Sequence, residues 1–97
     1  MRQVYWTITA QQELDDIIRY IGNQGRRYLV AESLYFEIKQ RLQDQLERNL
    51  PGHFHQAAPP DWLYVQHKRW LIFYRVIDEG FEIMRIVDGS RDLPNVL

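Results

Sequence analysis

The last third of the chain predicts a β-hairpin that is apolar on both faces. Runs of β-branched and aromatic residues span 71–77 and 81–87 and flank the loop Asp78-Glu79-Gly80, where Gly80 can adopt the positive φ of a short hairpin turn. By alternation, one face carries Ile72, Tyr74, Val76, Met84 and Ile86, and the other carries Leu71, Phe73, Ile77, Phe81, Ile83 and Val87. In so small a chain, the protein's own helices can cover one face, and we expect something else to cover the other.

Two amphipathic helices are predicted upstream of the hairpin. A strand at 4–8 precedes a helix that Thr9 caps and Gly22-Asn23 ends, and a second helix runs from about 25–28 to about Asn49. Residues at the spacing of a buried helix face are Leu14, Ile17, Ile18 and Ile21 in the first helix, and Ala31, Leu34, Tyr35, Ile38, Leu42 and Leu46 in the second. With a further strand at 62–66, the predicted fold is α+β in the order β-α-α-β-β-β. We expect a small twisted antiparallel sheet with the αα-hairpin packed on one face.

Length and composition favour a single domain, 1–97, in the cytoplasm. The chain has 97 residues, enough for one hydrophobic core, and no cysteine, which excludes a disulfide scaffold and a thiolate metal site. No run is long enough to span a membrane. Twelve basic and thirteen acidic residues leave no basic excess. A protein partner is therefore favoured over direct nucleic-acid binding.

The sequence offers no catalytic, metal or cofactor site, so its arginines are the candidate functional residues. His53 and His55 lack a third ligand nearby. If residue 77 pairs with 81, then 75 faces 83 and 73 faces 85, which places Arg75 and Arg85 diagonally on the face expected to be open. Two guanidinium groups there could bind phosphate or the carboxylates of a peptide. By the same register Glu82 lies on the helix-covered face. Arg91 is expected in a turn, as a local ion pair with Asp92.

These residues resemble the RelE/ParE toxin superfamily of bacterial type II toxin-antitoxin systems. The resemblance rests on the element order, the Ile-Phe-Tyr-Arg-Val strand at 72–76, the Ile-Met-Arg-Ile strand at 83–86 and the closing Gly-Ser-Arg-Asp-Leu-Pro at 89–94. RelE-like members cut mRNA on the ribosome with a cluster of Lys, Arg and a C-terminal Tyr, whereas ParE-like members poison DNA gyrase. The strand that has paired lysines in RelE contains none here, Leu71 replaces an arginine, and only Arg91 has a counterpart. The resemblance therefore favours the ParE branch and a gyrase inhibitor that is not an enzyme.

The resemblance also implies a cognate antitoxin, a disordered segment that folds across the toxin. Such a segment would supply the missing cover of the second apolar face. The predicted antitoxin contacts are Leu71, Phe73, Arg75, Ile77, Phe81, Ile83 and Arg85, and the predicted target contacts are Arg75, Arg85 and Arg91. Two functional alternatives stay open, a ribosome-dependent mRNA endonuclease and a degenerate, non-toxic binding module of the same fold. A structural alternative is that residues 93–97 fold back and cover the hairpin.

Overall fold

A computed structural model describes residues 2–97. Its elements are β1 (Gln3–Trp6), α1 (Ile8–Asn23), α2 (Tyr28–Glu47), β2 (Leu63–His67), β3 (Trp70–Ile77), β4 (Gly80–Asp88) and a one-turn helix, α3 (Leu93–Val96). The predicted α+β fold and the order β-α-α-β-β-β are confirmed, and α3 follows them. None of the helices in this part of the chain has the length and hydrophobicity needed to cross a bilayer.

Helix α1 begins earlier than predicted because Thr7, rather than Thr9, is its N-cap. The Thr7 hydroxyl accepts a hydrogen bond from the Ala10 backbone N–H at 3.1 Å and donates one to the Ile83 carbonyl at 2.8 Å. One side chain therefore satisfies a free N–H group of the helix and ties the start of α1 to β4.

The sheet is mixed, with strand order β1-β4-β3-β2. Strands β2, β3 and β4 form an antiparallel meander, whereas β1 runs parallel to β4. The predicted wholly antiparallel sheet was therefore wrong at β1. The connections between the strands explain this direction. The β2-β3 and β3-β4 hairpins each reverse the chain, so β4 runs in the same direction as β2. The helical crossover through α1 and α2 makes β2 parallel to β1, and β4 is therefore parallel to β1 as well.

A β-bulge in β4 changes which residues share a face. Phe73 pairs with Arg85 as predicted, but Tyr74 pairs with Ile83, so Met84 is an extra residue in β4. From the bulge to the turn, the predicted pairs 75–83 and 77–81 are each shifted by one residue: Arg75 pairs with Glu82 and Ile77 with Gly80. Because side chains alternate with a period of two, this shift moves every β4 residue before the bulge to the opposite face.

The core accordingly has two parts, one on each side of the sheet. The helix side contains Ala10, Leu14, Leu34, Ile38, Leu42, Leu46, Val65, Ile72, Tyr74, Phe81, Ile83 and Ile86. The other side contains Leu71, Phe73, Val87 and Leu93, packed against Ala57, Ala58, Trp62, Tyr64, Val96 and Leu97. The expectation that something outside the chain covers this second face was therefore wrong. The C-terminal segment covers part of it, as in the structural alternative considered above, and the loop before β2, which was not part of that alternative, covers the rest.

Candidate functional site

A groove runs between α1 and the last residues of β4. Strand β1 pairs only with residues 80–83, so residues 84–88 have no strand neighbour on that side. The groove has a volume of about 740 Å³. Its apolar walls include Ile17 and Tyr20 from α1, Val30 from α2 and Val96 from α3. We call this cavity the β4 groove; it combines apolar walls with charged groups.

Hydrogen bonds of Glu13 and Arg85 connect α1 to β4 at the floor of the β4 groove. One Glu13 carboxylate oxygen accepts a hydrogen bond from the Ile86 backbone N–H at 3.1 Å, in place of the carbonyl of a neighbouring strand. Arg85 donates to the same carboxylate through Nε at 3.0 Å and through Nη2 at 2.8 Å, and its Nη1 donates to the Val96 carbonyl at 3.2 Å. Arg85 therefore connects α1, β4 and α3, and most of its donors are engaged inside the protein.

Arg75 is also paired inside the chain. Its Nε donates to the Glu82 carboxylate at 2.6 Å, across the β3-β4 pair on the sheet face that lies opposite the helices. The predicted position of Glu82 on the helix-covered face was wrong, because the bulge at Met84 shifts the register. By register Arg75 and Arg85 do share one face, as predicted, but each has a carboxylate partner: Glu82 of β4 for Arg75, and Glu13 of α1 for Arg85.

Arg91 is the predicted arginine that stays available. It is exposed and lines the β4 groove, and only its backbone N–H is hydrogen-bonded, to the Asp88 carbonyl at 3.1 Å. Within residues 2–97 its guanidinium group has no ion-pair partner, and the predicted local pair with Asp92 does not form. The Asp92 carboxylate instead accepts a hydrogen bond from Asn95. Arg27, which lies between α1 and α2, also lines the groove and is likewise unpaired within the same residues.

Arg69 and Asp88 form an ion pair at the end of the groove. The Asp88 carboxylate accepts hydrogen bonds from Arg69 and from the backbone N–H and hydroxyl of Ser90. The Arg69 hydrogen bond is the main cause that lowers the pKa of Asp88 from 3.8 to about 2, and the two Ser90 contacts add to it. Asp88 is therefore ionised at neutral pH, and its charge is compensated before any partner binds.

This shift predicts an acid-dependent contribution to stability. Because the pKa of Asp88 is lower in the folded state, its ionisation stabilises the protein above about pH 4, and this stabilisation is lost as the pH falls through about 2. Asp88→Asn should lower the melting temperature by a few degrees at neutral pH, since Arg69 is largely exposed. The difference in melting temperature between Asp88→Asn and wild type should become smaller below pH 4, as measured by thermal melts followed by circular dichroism. A difference that is independent of pH would contradict this account.

The predicted antitoxin-binding residues do not form one exposed surface. Leu71 and Phe73 are buried beneath the C-terminal segment and the loop before β2, whereas Phe81 and Ile83 belong to the core under the helices. Ile77 is half-buried at the end of β3. The structure thus distributes these residues over both sides of the sheet, and the single apolar face predicted from alternation does not exist.

Several residues that line the β4 groove were not predicted as functional. Glu13 and Arg69 received no functional assignment from the sequence. Arg27 and Tyr20 carried no assignment. The adjacent Arg26 and Arg27 between the two helices were an available signal, but the sequence gives no indication that this loop lies across from the end of β4.

The groove presents cationic groups above apolar walls. Four cations, Arg27, Lys68, Arg69 and Arg91, line it, and its three carboxylates each have a cationic partner: Glu13 with Arg85, Asp16 with Arg19, and Asp88 with Arg69. This arrangement suits an acidic, amphipathic peptide segment. Among residues 2–97, no group of three or more His, Asp or Glu side chains is placed to hold a metal ion.

Comparison with known proteins identifies the family. The sequence model of the family described as "ParE toxin of type II toxin-antitoxin system, parDE" matches residues 4–93. A search of curated proteins finds no match. Among solved structures, a chain of the chromosomal ParDE toxin-antitoxin system from P. aeruginosa has a TM-score of 0.77 at 17% identity, with 93% of this chain and 98% of that chain covered. At this identity, the structural match shows that the fold is shared.

Proposed function

The chain belongs to the ParE toxin family of type II toxin-antitoxin systems, and from this premise we propose that it is a toxin that inhibits DNA gyrase and is neutralised by a cognate antitoxin. The observation that carries the proposal is the family match, which extends from β1 to the start of α3. The toxin would act in the cytoplasm, where gyrase acts on the chromosome.

We further propose that the β4 groove is the surface that the antitoxin masks. Arg27 and Arg91 are cations without an ion-pair partner among the described residues, and they line the groove together with the apolar side chains of Ile17, Tyr20 and Val30. A disordered acidic segment would gain charge-assisted hydrogen bonds to the arginines and bury the apolar walls as it folds. The other predicted arginines, Arg75 and Arg85, are less suitable because each would first have to release a carboxylate.

Masking of Arg91 would link neutralisation to toxicity. If Arg91 also contacts gyrase, a segment bound in the groove excludes the target by occupying the same residue. The antitoxin then needs no effect on the fold of the toxin, because competition for one exposed guanidinium group is sufficient.

The proposed function and its two alternatives predict different cellular outcomes. A gyrase inhibitor should cause filamentation, a DNA damage response and stabilised cleavage complexes when the chain is expressed from an inducible promoter. A ribosome-dependent nuclease should halt translation and leave cut mRNA, and a degenerate binding module should be harmless. The internal pairing of Arg75 and Arg85 disfavours the nuclease, which would need free cations at the phosphate.

Arg91→Ala should strongly reduce toxicity while the melting temperature stays within a few degrees of wild type. The stability effect is small because the side chain is exposed and forms no hydrogen bond within residues 2–97. The measurement is growth after induction, together with a thermal melt of the purified variant. Arg48→Ala is a matched control, since Arg48 is an exposed arginine at the C-terminal end of α2, outside the groove.

Two outcomes would remove Arg91 from the proposed site. In the first, Arg91→Ala and Arg48→Ala reduce toxicity equally, so the loss reflects net charge rather than position. In the second, Arg91→Ala lowers the melting temperature by many degrees and the folded fraction stays fully toxic, so Arg91 is a structural clamp between β4 and the C-terminal segment.

A further inference from the structure

Three turns at one end of the molecule bring five exposed cations together. The turn between α1 and α2 carries Arg26 and Arg27, the β2-β3 turn carries Lys68 and Arg69, and the turn after β4 carries Arg91. All but the first of these line the β4 groove, so the three turns lie beside one another. We call these five residues the cationic end. The net charge of −1 is summed over the whole chain and does not show this concentration.

Carboxylates compensate only part of the charge at the cationic end. Two of the five cations have an ion-pair partner, Asp88 for Arg69 and Glu37 for Lys68. The three remaining arginines have none among residues 2–97. With Asp92 counted as well, three carboxylates accompany five cations, so an excess of two positive charges remains.

Two of these cations occupy backbone positions that favour glycine or asparagine. Arg26 has φ +57° and Lys68 has φ +56°, in the left-handed region that residues with a Cβ atom rarely adopt. Asparagine adopts this conformation more easily than either of them. Both turns therefore present a positive charge where local structure alone favours a neutral residue, and strain of this kind is concentrated at functional sites.

Charges distributed over three turns suit the phosphate backbone of duplex DNA. Its phosphates recur along both strands, and each needs a nearby cation but no fixed side-chain geometry. Such a polyanion can contact all three turns at once, whereas a single carboxylate is held by one arginine. The acidic turn Asp78-Glu79 precedes β4 and Arg91 follows it, so about 30 Å of strand separates the acidic turn from the cationic end. A duplex at the cationic end is therefore not repelled by this turn.

From these observations we propose that the cationic end binds the phosphate backbone of duplex DNA without reading its sequence. The inference goes beyond the proposed function, because binding to a free duplex requires neither gyrase nor an antitoxin. One consequence rests on the proposed function: on gyrase, the toxin would contact the DNA that the enzyme holds as well as the enzyme itself. An acidic segment bound in the β4 groove would then displace that DNA.

Fluorescence anisotropy of a short labelled duplex, titrated with the purified chain at several salt concentrations, tests the inference. Contacts to three phosphates give a slope of about −2.7 for the logarithm of the affinity against that of the salt concentration, so the affinity should fall about 40-fold between about 50 and 200 mM. Arg27→Ala should reduce the magnitude of this slope by about 0.9. Arg48→Ala is the matched control, because it removes the same charge at the other end of α2, about 30 Å away, and should leave the slope unchanged.

Arg26→Asn separates DNA binding from stability. Its melting temperature should rise by a few degrees, because asparagine tolerates the positive φ, while its affinity for the duplex at low salt falls several-fold. A purely structural role for Arg26 would instead lower the melting temperature and leave the affinity of the folded protein unchanged. Far-UV circular dichroism would establish that each variant is folded.

Several results would overturn the inference. These are a wild type that does not bind the duplex at the lowest salt concentration, an affinity that is independent of salt, equal losses for Arg27→Ala and Arg48→Ala, and an Arg26→Asn variant that binds as tightly as wild type. Binding of polyglutamate but not of the duplex would identify an acidic protein segment as the occupant. Inhibition of gyrase without binding to a free duplex would overturn this inference and leave the proposed function intact.

Discussion

Replacing Gly80 with alanine is expected to destabilise the protein by at least about 3 kcal/mol. Gly80 has φ +135°, a region that residues with a Cβ atom rarely adopt. A Cβ atom at this position would also lie 2.0 Å from the Gln3 carbonyl oxygen and 2.7 Å from the Gln3 backbone nitrogen. Both contacts are with backbone atoms of β1, so the clash cannot be relieved by a rotamer change. The variant must either distort the β3-β4 turn or displace β1 from the sheet.

Thermal denaturation measures this effect. In a domain of this size each kcal/mol lowers the melting temperature by about 4–8 °C, so Gly80→Ala should lower it by more than about 12 °C. Gly25→Ala is a matched control because Gly25 also has a positive φ, +64°, but no atom lies within 4 Å of the position of its Cβ. Gly25→Ala should lower the free energy of unfolding by only about 1 kcal/mol. Equal losses for the two variants would show that close packing against β1 is not the reason for glycine at position 80.

Ile38→Asp should prevent folding altogether. The Ile38 side chain is fully buried in the helix-side core, where it packs with residues of both helices and of the sheet. Truncation of a buried isoleucine costs about 2–5 kcal/mol, and burial of an unpaired carboxylate adds a larger penalty. Together they match or exceed the net stability of about 5–15 kcal/mol that is usual for a small protein.

Circular dichroism and thermal melts of Ile38→Asp and Ile38→Val test this prediction. The valine variant is the control, since it removes one methylene group and should cost about 0.5–1.5 kcal/mol with the fold preserved. A soluble aspartate variant that unfolds cooperatively near the wild-type temperature would contradict the placement of α2 on the sheet.

The order and approximate bounds of the elements were predictable because they depend on local patterns. The stripe that contains Leu34, Ile38 and Leu42 has the period of a helix, and all three side chains are buried. The choice between Thr7 and Thr9 as N-cap was not predictable, because Thr7 is selected by a hydrogen bond to Ile83, which is distant in the sequence. The parallel position of β1 beside β4 depends in the same way on tertiary packing.

The error in the predicted site has a specific cause. One extra residue, Met84, reverses the alternation of β4 at the bulge, and neither neighbour of Met84 is a glycine or proline that would indicate a bulge there. Phe81 and Ile83 were therefore assigned to the wrong face. The partner of Arg85, Glu13, is 72 residues away in the sequence, so its pairing could not be read from spacing. The turn that contains Arg91 was predictable from local residues, whereas the choice of Arg91 as a candidate contact came from the family resemblance.

Inhibition of gyrase by the purified chain is the measurement that tests the proposed function most directly. A supercoiling assay with relaxed plasmid, gyrase and ATP would be run with wild type, Arg91→Ala and Arg48→Ala, each first shown to be folded. The proposal predicts that wild type and Arg48→Ala block supercoiling and accumulate cleaved plasmid, and that Arg91→Ala does so only weakly. Unimpaired supercoiling in the presence of excess folded wild-type protein would contradict it.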